Sequence, residues 1–479
     1  MIAYTSKYHS GHTPLRHAGS SHPLSRGTLE ALSATSSLEH MSEPGHWRDP
    51  AAGAPQQQLH PAPTPLPQAG TLEPGPRATP NYWSHPVAEP RRKMPRNSAV
   101  KVSNIILLCL LGLVTLLTLA FFAVSIGANV FLICGALALI PLTICVTTLR
   151  WIDKWEPEPV PALILGFCWG AGMAVITSLV VGSWVQPLLM SGNGTAGADM
   201  VGAVIQAPLV EEISKGAGVL LLFFLRRKTF DGPIDGLVYA GIIAAGFAFT
   251  ENILYFGQAL QEADGAAGGL LSIFVLRGLM SPFAHVMFTA VLGVCVGFAA
   301  RNGGTGMVLI AWCVGLIPAM FLHGLWNSSS FLGENFFAVY ILLQVPLFIM
   351  FIVGVILLRR AEAKLTRLRL TDYVPSGWFT PQEVPMLATG GGRRRALIWA
   401  KTFAAGDIMK EFIRLATRLA FTRQRLVVDA KGALGTAAAA RFASGQEQEL
   451  ALLHQITSVR GELLGRHSAA IWQAQQPRL

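Results

Sequence analysis

Carboxylate, imidazole and ammonium groups lie inside otherwise apolar stretches of this sequence, at spacings that could support hydrolytic chemistry. They are Glu211, Glu212 and Lys215 in "EEISK", Glu251 in "FAFTEN", Arg277 and His285 in "RGLMSPFAH", and His323 and Asn327 in "HGLWN". A formal charge near the middle of a bilayer costs roughly 2.5–3.5 kcal/mol on insertion scales, so charges in such stretches indicate a functional site. Carboxylates and imidazoles together can activate water, either as general bases or through a bound metal ion.

The spacing in the first stretch leaves one carboxylate without a counter-charge. Lys215 follows Glu211 by four residues and Glu212 by three, so on a helix it can reach either of them. Because one ammonium neutralises one carboxylate, the other needs a proton or a cation nearby, which is the condition of a general base or a metal ligand. A structural ion pair is the alternative, and a single intramembrane His or Asn often makes a helix–helix hydrogen bond worth about 0.6–2 kcal/mol. The conjunction of four such segments favours one polar cavity.

Other kinds of active site are not supported by the motifs present. The sequence contains no GxSxG, the turn that presents a serine nucleophile, and no HExxH, which places two metal ligands on one helix. The cysteines stand singly in apolar runs without CxxC spacing, and we interpret them as buried small hydrophobic residues. They are Cys109, Cys134, Cys145, Cys168, Cys295 and Cys313.

The composition predicts that membrane-spanning helices position these residues. Of 479 residues, 52% are hydrophobic and only 13% are charged, whereas soluble domains are about a quarter charged. Because a spanning helix needs roughly 20 apolar residues, we predict an all-α, polytopic membrane protein with about eight transmembrane helices. The predicted crossings are 104–124, 128–149, 161–184, 201–225, 235–256, 270–300, 306–327 and 336–358. Pro282 interrupts the sixth, so we expect a short interfacial or re-entrant piece followed by a crossing from residue 283.

Lysine and arginine are confined to alternate loops, which sets the predicted orientation. The N-terminal flank, "RWIDKWEPEP", "RRKTFDG", Arg301 and "RRAEAK" fall on one side, while "SGNGTAGADM", "GQALQEADGAAG" and "FLGENF" on the other contain no Lys or Arg. By the positive-inside rule, both termini are cytoplasmic in a multi-pass protein of the cell (inner or plasma) membrane. The carboxylates and imidazoles then lie in the extracytoplasmic half of the bilayer. The net charge of +10 is attributed to contact with membrane lipid headgroups and not to nucleic acid.

Polar ends flank the apolar core, so three regions are predicted. Residues 1–98 are rich in Pro, Ser and His and form a disordered tail, whose first residues "MIAYTSKYHS" lack the apolar core of a signal peptide. Residues 99–358 form the transmembrane core. In residues 359–479 apolar residues recur at helical spacing between charges, which predicts a cytoplasmic helical region. Attachment of that region to the membrane surface through its Arg-rich face is the alternative.

Taken in order along the chain, these motifs resemble those of the PrsW family of intramembrane proteases. The resemblance rests on "EEISK", "FAFTEN", "SPFAH" followed by "MFTAVLG", and "HGLWN", with "DKWEPEP" before the third crossing, and covers residues 150–358. The family is related to the CAAX prenyl proteases, but here the second motif ends in Glu251 where those relatives have His. The resemblance implies a peptidase that cleaves a membrane-anchored, single-span protein near the extracytoplasmic side. The first cut in an anti-sigma factor is the family's precedent.

The resemblance also implies roles for individual residues. Glu211 is the implied general base, with Glu212 as the alternative, and Lys215 and Arg277 have supporting roles. His323 and Asn327 would stabilise the oxyanion. Glu251 and His285 would bind the water.

Two alternatives stand beside this assignment. In a metallopeptidase version, Glu251, His285 and His323 bind a zinc ion and Glu211 or Glu212 is the base; the sequence favours neither version. In an alternative of another class, the protein is a polytopic transporter of ions or small molecules, since buried Glu and His also line ion paths.

Overall fold

The computed structural model describes residues 98–227, 229–262, 267–431 and 436–475, and within these ranges it contains helices and helical turns but no strand. The predicted all-α class is confirmed. Apart from Ser98, the predicted N-terminal tail lies outside the described residues.

Fifteen α-helices are present in the described ranges. They are α1 (Ser98–Ile126), α2 (Ala128–Ile152), α3 (Val160–Cys168), α4 (Val175–Val201), α5 (Ala207–Arg226), α6 (Pro233–Glu262), α7 (Ala267–Ile273), α8 (Ala284–Asn302), α9 (Thr305–Ser329), α10 (Phe336–Val339), α11 (Val345–Thr371), α12 (Glu383–Ala388), α13 (Gly390–Lys401), α14 (Gly406–Lys431) and α15 (Thr436–Gln475). Short π-helical turns occur at Trp169–Ala174, Gly202–Gln206, Phe274–Met280 and Tyr340–Gln344, and a 3-10 turn occurs at Ser330–Asn335.

Six helical segments of the described chain are long and apolar enough to cross a membrane, so the protein is a multi-pass membrane protein. They are Val102–Ile126, Ala128–Ile152, Val160–Ser191, Pro233–Glu262, Gly268–Asn302 and Thr305–Thr371. The predicted number of about eight is therefore not confirmed. The difference has two sources. First, α5 carries Glu211, Glu212 and Lys215 within 20 residues, which makes it less apolar than the other segments. Second, the last segment is 67 residues long and includes both of the final two predicted crossings, which the 3-10 turn at Ser330–Asn335 separates.

The stretch "SGNGTAGADM", predicted as a loop, is helical and belongs to α4. Even so, the chain reverses direction here. Gln186 Nε2 lies 3.4 Å from Asp199 Oδ1, whereas thirteen residues of straight helix would separate their backbones by about 20 Å. The reversal brings the π-helical turn Gly202–Gln206 and α5 back alongside the first part of α4.

Helix α6 lies at the centre of the membrane core, since most of its residues are buried and it contacts α2, α3, α5 and α8. Its closest neighbour is α8. A Cβ atom on Gly293 would lie 2.1 Å from the carbonyl oxygen of Gly236, so the two backbones approach through positions that accept only glycine. This contact fixes the spacing between the helices that carry Glu251 and His285.

The predicted interruption at Pro282 is confirmed. The π-helical turn ends at Met280 and α8 begins at Ala284, with Ser281 at φ −131° between them. Proline lacks an amide donor and disfavours helix at the preceding residue. The break places His285 in the first turn of α8.

The C-terminal part of the chain is helical, as predicted, but its start is not marked by a break in structure. Helix α11 runs through residue 358 to Thr371. Helices α12 to α15 then bury a separate apolar core. Arg301 at the end of α8 joins the two parts, because it donates to the Asp231 carbonyl at 2.8 Å, pairs with Glu362 of α11 at 3.0 Å and lies over the ring of Phe421 in α14. The boundaries at 98 and 358 remain predictions.

Candidate active site

Two buried carboxylates of α5 share one ammonium group. Glu211, Glu212 and Lys215 are at most 1% exposed. Lys215 Nζ lies 2.7 Å from Glu212 Oε1 and 3.5 Å from Glu211 Oε2. Lys215 therefore contacts both carboxylates at once and is closer to Glu212.

Glu212 has further donors from two other helices. His323 Nδ1 of α9 lies 3.0 Å from Glu212 Oε1, and the Thr289 hydroxyl of α8 donates to Glu212 Oε2 at 2.8 Å. Both carboxylate oxygens are thus engaged. This arrangement suits Glu212 to orient His323.

Glu211 differs from its neighbour, because its Oε2 atom is buried without a hydrogen-bond partner in the described part of the chain. The same oxygen lies 3.8 Å from His323 Nε2. A buried carboxylate oxygen without a donor is costly unless a proton, a water or a cation completes its contacts. Glu211 is therefore the less engaged carboxylate of the pair, because its Oε2 has an ion pair with Lys215 at 3.5 Å but no hydrogen bond to the described residues.

A second carboxylate–imidazole pair lies on the opposite side of Lys215. Glu251 Oε2 is 2.8 Å from His285 Nε2 and 2.6 Å from Arg277 Nη2. The other ring nitrogen, His285 Nδ1, lies 3.4 Å from Lys215 Nζ. Arg277 also donates from Nε to Asn252 Oδ1 at 3.1 Å, so this pair is fixed from α6 and from the turn before α8.

The residues of the centre could hold a metal ion. Glu211, His285 and His323 each offer a ligand atom, and these atoms lie within 4.8 Å of one another. One carboxylate and two imidazoles form a common ligand set of zinc hydrolases. Each imidazole is also held by a further carboxylate, Glu251 for His285 and Glu212 for His323, as is usual for metal-ligating histidines. The unpartnered oxygen of Glu211 completes the donor set.

This donor group differs in one residue from the predicted zinc ligands Glu251, His285 and His323. The structure groups both histidines with Glu211, and the role of Glu251 as a ligand remains a prediction. The reason for the difference is geometric: Glu251 contacts His285 from the side of Arg277, whereas Glu211 lies close to His323 Nε2.

Asn327 lies at the edge of the centre, one helical turn beyond His323. Its Nδ2 donates to the carbonyl oxygen of Ala203 at 2.8 Å, which leaves its second N–H available. Gly324 allows this contact, because a Cβ there would lie 2.6 Å from the carbonyl oxygen of Val204. The π-helical turn before α5 is therefore packed directly onto α9.

Aromatic rings enclose the polar groups. The ring of Phe288 stacks on His323 at 5.1 Å, and Lys215 Nζ lies 4.3 Å from the ring centre of Phe247. The two imidazole rings are perpendicular, with centroids 5.0 Å apart. Charges in such a low-dielectric enclosure interact more strongly than in water.

A cavity of about 540 Å³ reaches the centre from one side. Its wall includes Glu251, Arg277, His285 and Asn327. His323 does not line it and is 1% exposed. A ligand in the cavity would therefore meet the Glu251–His285 pair and Asn327 first, with Glu211 behind them.

The "DKWEPEP" loop does not contribute to the centre. Asp153 Oδ2 accepts the Glu158 amide at 2.6 Å, and Glu158 accepts the hydroxyl of Tyr239. Tyr239 precedes Glu251 by twelve residues on α6, which is about 18 Å along the helix. The loop packs instead against the C-terminal helices, where Trp155 contacts their apolar core.

Sequence reasoning missed Thr289 and the rings of Phe247 and Phe288. Thr289 follows His285 by four residues, so its place on the same face of α8 could have been found from helical spacing. The two phenylalanines stand in apolar runs, where nothing in the sequence separates a ring that covers a polar centre from one that faces lipid.

Comparisons with known proteins agree with the fold and with the motifs. A family model described as "PrsW family intramembrane metalloprotease" matches residues 158–353. Protease PrsW of Clostridioides difficile (strain 630) is 30% identical over 193 residues, which are 40% of this chain and 76% of that protein. Protease PrsW of Geobacillus kaustophilus (strain HTA426) is 27% identical over 36% of this chain and 69% of that protein. Protease PrsW of Bacillus subtilis (strain 168) is 24% identical over 36% of this chain and 72% of that protein. No solved structure matches the chain.

The helical membrane core, the buried Glu/His centre and these relatives define a multi-pass membrane peptidase. The chain belongs to the PrsW family of intramembrane metalloproteases. The peptidase prediction is therefore confirmed, and the comparisons favour it over the transporter alternative.

Proposed function

We propose that this peptidase hydrolyses a peptide bond of a membrane-anchored, single-span protein near the extracytoplasmic side of the cell membrane, with its own termini in the cytoplasm. The observation that carries the proposal is the buried, unpartnered oxygen of Glu211, which lies close to His323 and behind the cavity wall at His285. An anti-sigma factor is the substrate type that the resemblance to the family implies.

In this proposal Glu211 accepts the proton of the attacking water. Its Oε2 makes no hydrogen bond to the described residues and lies 3.5 Å from Lys215 Nζ, so water can approach it. Lys215 is shared with Glu212 and balances only part of the local negative charge. General-base catalysis by a positioned carboxylate contributes about 10²–10⁴-fold to a rate.

A donor on the cavity wall stabilises the oxyanion that follows. Asn327 retains one N–H after its bond to Ala203 and lines the cavity, whereas both ring nitrogens of His285 are engaged, by Glu251 and by Lys215. A single oxyanion donor is worth about 10²–10³ in kcat. His323, predicted for this role, lies deeper and is better placed to act on Glu211.

A second form of the proposal includes a zinc ion. Glu211, His285 and His323 would hold it, and a bound zinc ion supplies Lewis-acid polarisation and water activation. Glu212 and Glu251 then keep the two imidazoles in orientation. In this version the same Glu211 oxygen is a ligand, so one residue is essential in either form of the chemistry.

The test is cleavage of a single-span reporter by purified protein in liposomes. We expect Glu211→Gln to lower kcat/KM about a thousandfold, because the amide neither accepts a proton nor ligates strongly. Glu262→Gln is the matched control, since Glu262 is exposed at the end of α6 and its removal should leave the rate unchanged. Cleavage by Glu211→Gln at the wild-type rate would contradict the proposal.

Metal analysis of the same samples separates the two forms of the chemistry. Zinc chemistry predicts about one zinc per chain, lost in Glu211→Gln and in His323→Ala, and inhibition by a chelator that added zinc reverses. Metal-free protein that retains full activity in chelator assigns the chemistry to Glu211 alone.

A further inference from the structure

Aromatic rings line the cavity beside the candidate active site. The cavity of about 540 Å³ lies within the range of about 300–1,000 Å³ found for ligand sites. Tyr255 of α6 is the first aromatic group of the wall, and Trp326, Phe336 and Phe337 form the second. The apolar side chains of Ile273 and Leu276 also line it.

The first group, Tyr255, is held close to Glu251. Tyr255 follows Glu251 by four residues and lies on the same face of α6. The guanidinium of Arg277 lies 4.0 Å from the ring centre of Tyr255 while its Nη2 contacts Glu251. One arginine thus fixes the ring and the carboxylate together.

The second group is held in place by Tyr340. Trp326 directly precedes Asn327 and lies 6.4 Å from the ring of Tyr340, whose hydroxyl donates to the Met280 carbonyl at 2.8 Å. Phe336 stacks on Tyr340. Phe337 also lines the cavity, so an entering side chain can contact its ring.

The distance from these aromatic residues to the site of cleavage can be expressed in residues of the substrate. Residues one helical turn apart have Cβ atoms about 5–6 Å from each other, and successive residues of an extended peptide are about 3.3 Å apart. A substrate whose scissile carbonyl lies at Asn327 and His285 therefore places a side chain beside these aromatic residues within two residues of the cut. The amides of Gln186 and Gln258, also on the wall, can pair with the backbone of that extended segment.

The charged residues that line the cavity disfavour the binding of an acidic side chain. Asp199 and Glu251 line it, and Arg277, the cation on the wall, is already paired with Glu251. A carboxylate entering the cavity would meet Asp199 without a free counter-charge from these residues.

We propose that this cavity is the subsite that selects the substrate, and that it requires a bulky apolar side chain within two residues of the scissile bond and rejects an acidic one. The inference rests on the peptidase function proposed above and adds the substrate class that the site accepts.

The experiment varies the reporter and the enzyme together. A single-span reporter carries Leu, Phe, Ala or Asp at each of the two positions on either side of its cleavage site, and kcat/KM is measured for wild type, Trp326→Ala and Phe321→Ala. Phe321 lies on the same helix, is 66% exposed and does not line the cavity, so Phe321→Ala controls for loss of an aromatic ring from α9.

We expect one reporter position at which Leu or Phe exceeds Ala about 10- to 100-fold, the discrimination typical of an apolar pocket, and at which Asp is cleaved least. Trp326→Ala should shift the preference toward Phe over Leu, while Phe321→Ala should keep the wild-type profile. A wild-type profile that is flat at all four positions, or one that Trp326→Ala leaves unchanged, overturns the subsite.

A cross-linking arm separates failure of the subsite from failure of hydrolysis. Reporters with benzoylphenylalanine at the same positions are irradiated with the Glu211→Gln protein, and the adducts are mapped by mass spectrometry. Adducts on peptides that contain Tyr255, Trp326 or Phe337 support the subsite even if no reporter is cleaved, in which case the hydrolytic proposal fails alone. Adducts confined to other surfaces overturn the subsite even if cleavage occurs.

Discussion

Two adjacent glutamates of α5 have different surroundings, and the difference separates their roles. Both oxygens of Glu212 are engaged, by Lys215 and His323 on one side and by Thr289 on the other, whereas Glu211 keeps an unpartnered oxygen. Removing a donor to Glu212 should therefore act on catalysis through His323 and not by direct contact with substrate.

Thr289→Val tests this positioning role. The change removes the hydroxyl that donates to Glu212 Oε2 but keeps the shape of the side chain, and a hydrogen bond to a charged group is worth about 1.5–3 kcal/mol. We expect kcat to fall roughly tenfold or more with little change in KM, since no cavity-lining group is altered. Thr289→Ser should restore the rate.

Thr143→Val is the control for this experiment. Thr143 is exposed on α2 and bonds only within its own helix among the described contacts. If kcat of Thr289→Val equals that of Thr143→Val, the bond between Thr289 and Glu212 does not position the site.

The residues of the candidate site were largely predictable, because charges inside apolar stretches stand out. The structure brings together groups from all four motifs. What the sequence could not supply is the rotation of each helix about its axis, and that rotation decides whether Glu211 or Glu251 joins the two imidazoles.

At the scale of elements, contact between α6 and α8 sets the geometry of the Glu251–His285 pair. The helices meet at Gly236 and Gly293, where an added Cβ would lie about 2 Å from a backbone oxygen. No side chain can give way at such a contact, so a larger residue has to move a helix.

Gly293→Ala should therefore destabilise the protein by roughly 1–3 kcal/mol, the usual cost of overpacking, and lower activity by shifting His285 relative to Glu251. Thermal unfolding in detergent and reporter cleavage measure the two effects. Gly354→Ala on α11 is the matched control. Nothing lies within 4 Å of a Cβ at that position, so alanine should be neutral or stabilising there. Equal unfolding temperatures for both variants would show that the α6–α8 contact is not close.

Helix ends and breaks were predicted where the local sequence determines them. They were missed where tertiary contacts determine them. Pro282 breaks a helix whatever surrounds it, and this break was predicted. The helical state of "SGNGTAGADM" was not, because Gly, Ser and Asn favour turns when they are read alone. The continuation of α11 to Thr371 was also missed, since the polarity of the sequence changes at residue 358 but the helix does not end there.

At the scale of the whole molecule, the "DKWEPEP" loop packs against the C-terminal helices through Trp155 and carries the buried acids Asp153 and Glu158. Burial raises the pKa of Glu158 to about 8 and that of Asp153 to about 7. The folded protein therefore retains these protons at a pH where the unfolded chain, with a pKa of 4.5 for Glu158, has released them.

Stability should accordingly fall as the pH rises. The contribution of the Glu158 proton is complete below pH 4.5 and is lost as the pH approaches 8, by about 1 kcal/mol for each pH unit. Glu158→Gln cannot ionise and can still accept the Tyr239 hydroxyl, so we expect a flatter dependence of the unfolding temperature between pH 5 and pH 9. Glu462→Gln, at an exposed ion pair of α15, should follow wild type. The expectation fails if Glu158→Gln loses stability with pH as steeply as wild type does.

The charges of α5 also have a consequence for how the protein is made. A segment enters the bilayer from the insertion machinery according to its apolarity, and Glu211, Glu212 and Lys215 each oppose that step. The reversal of the chain between Gln186 and Asp199 places α5 directly against α4, which is a strongly apolar neighbour. We therefore expect α4 and α5 to enter the membrane as one hairpin.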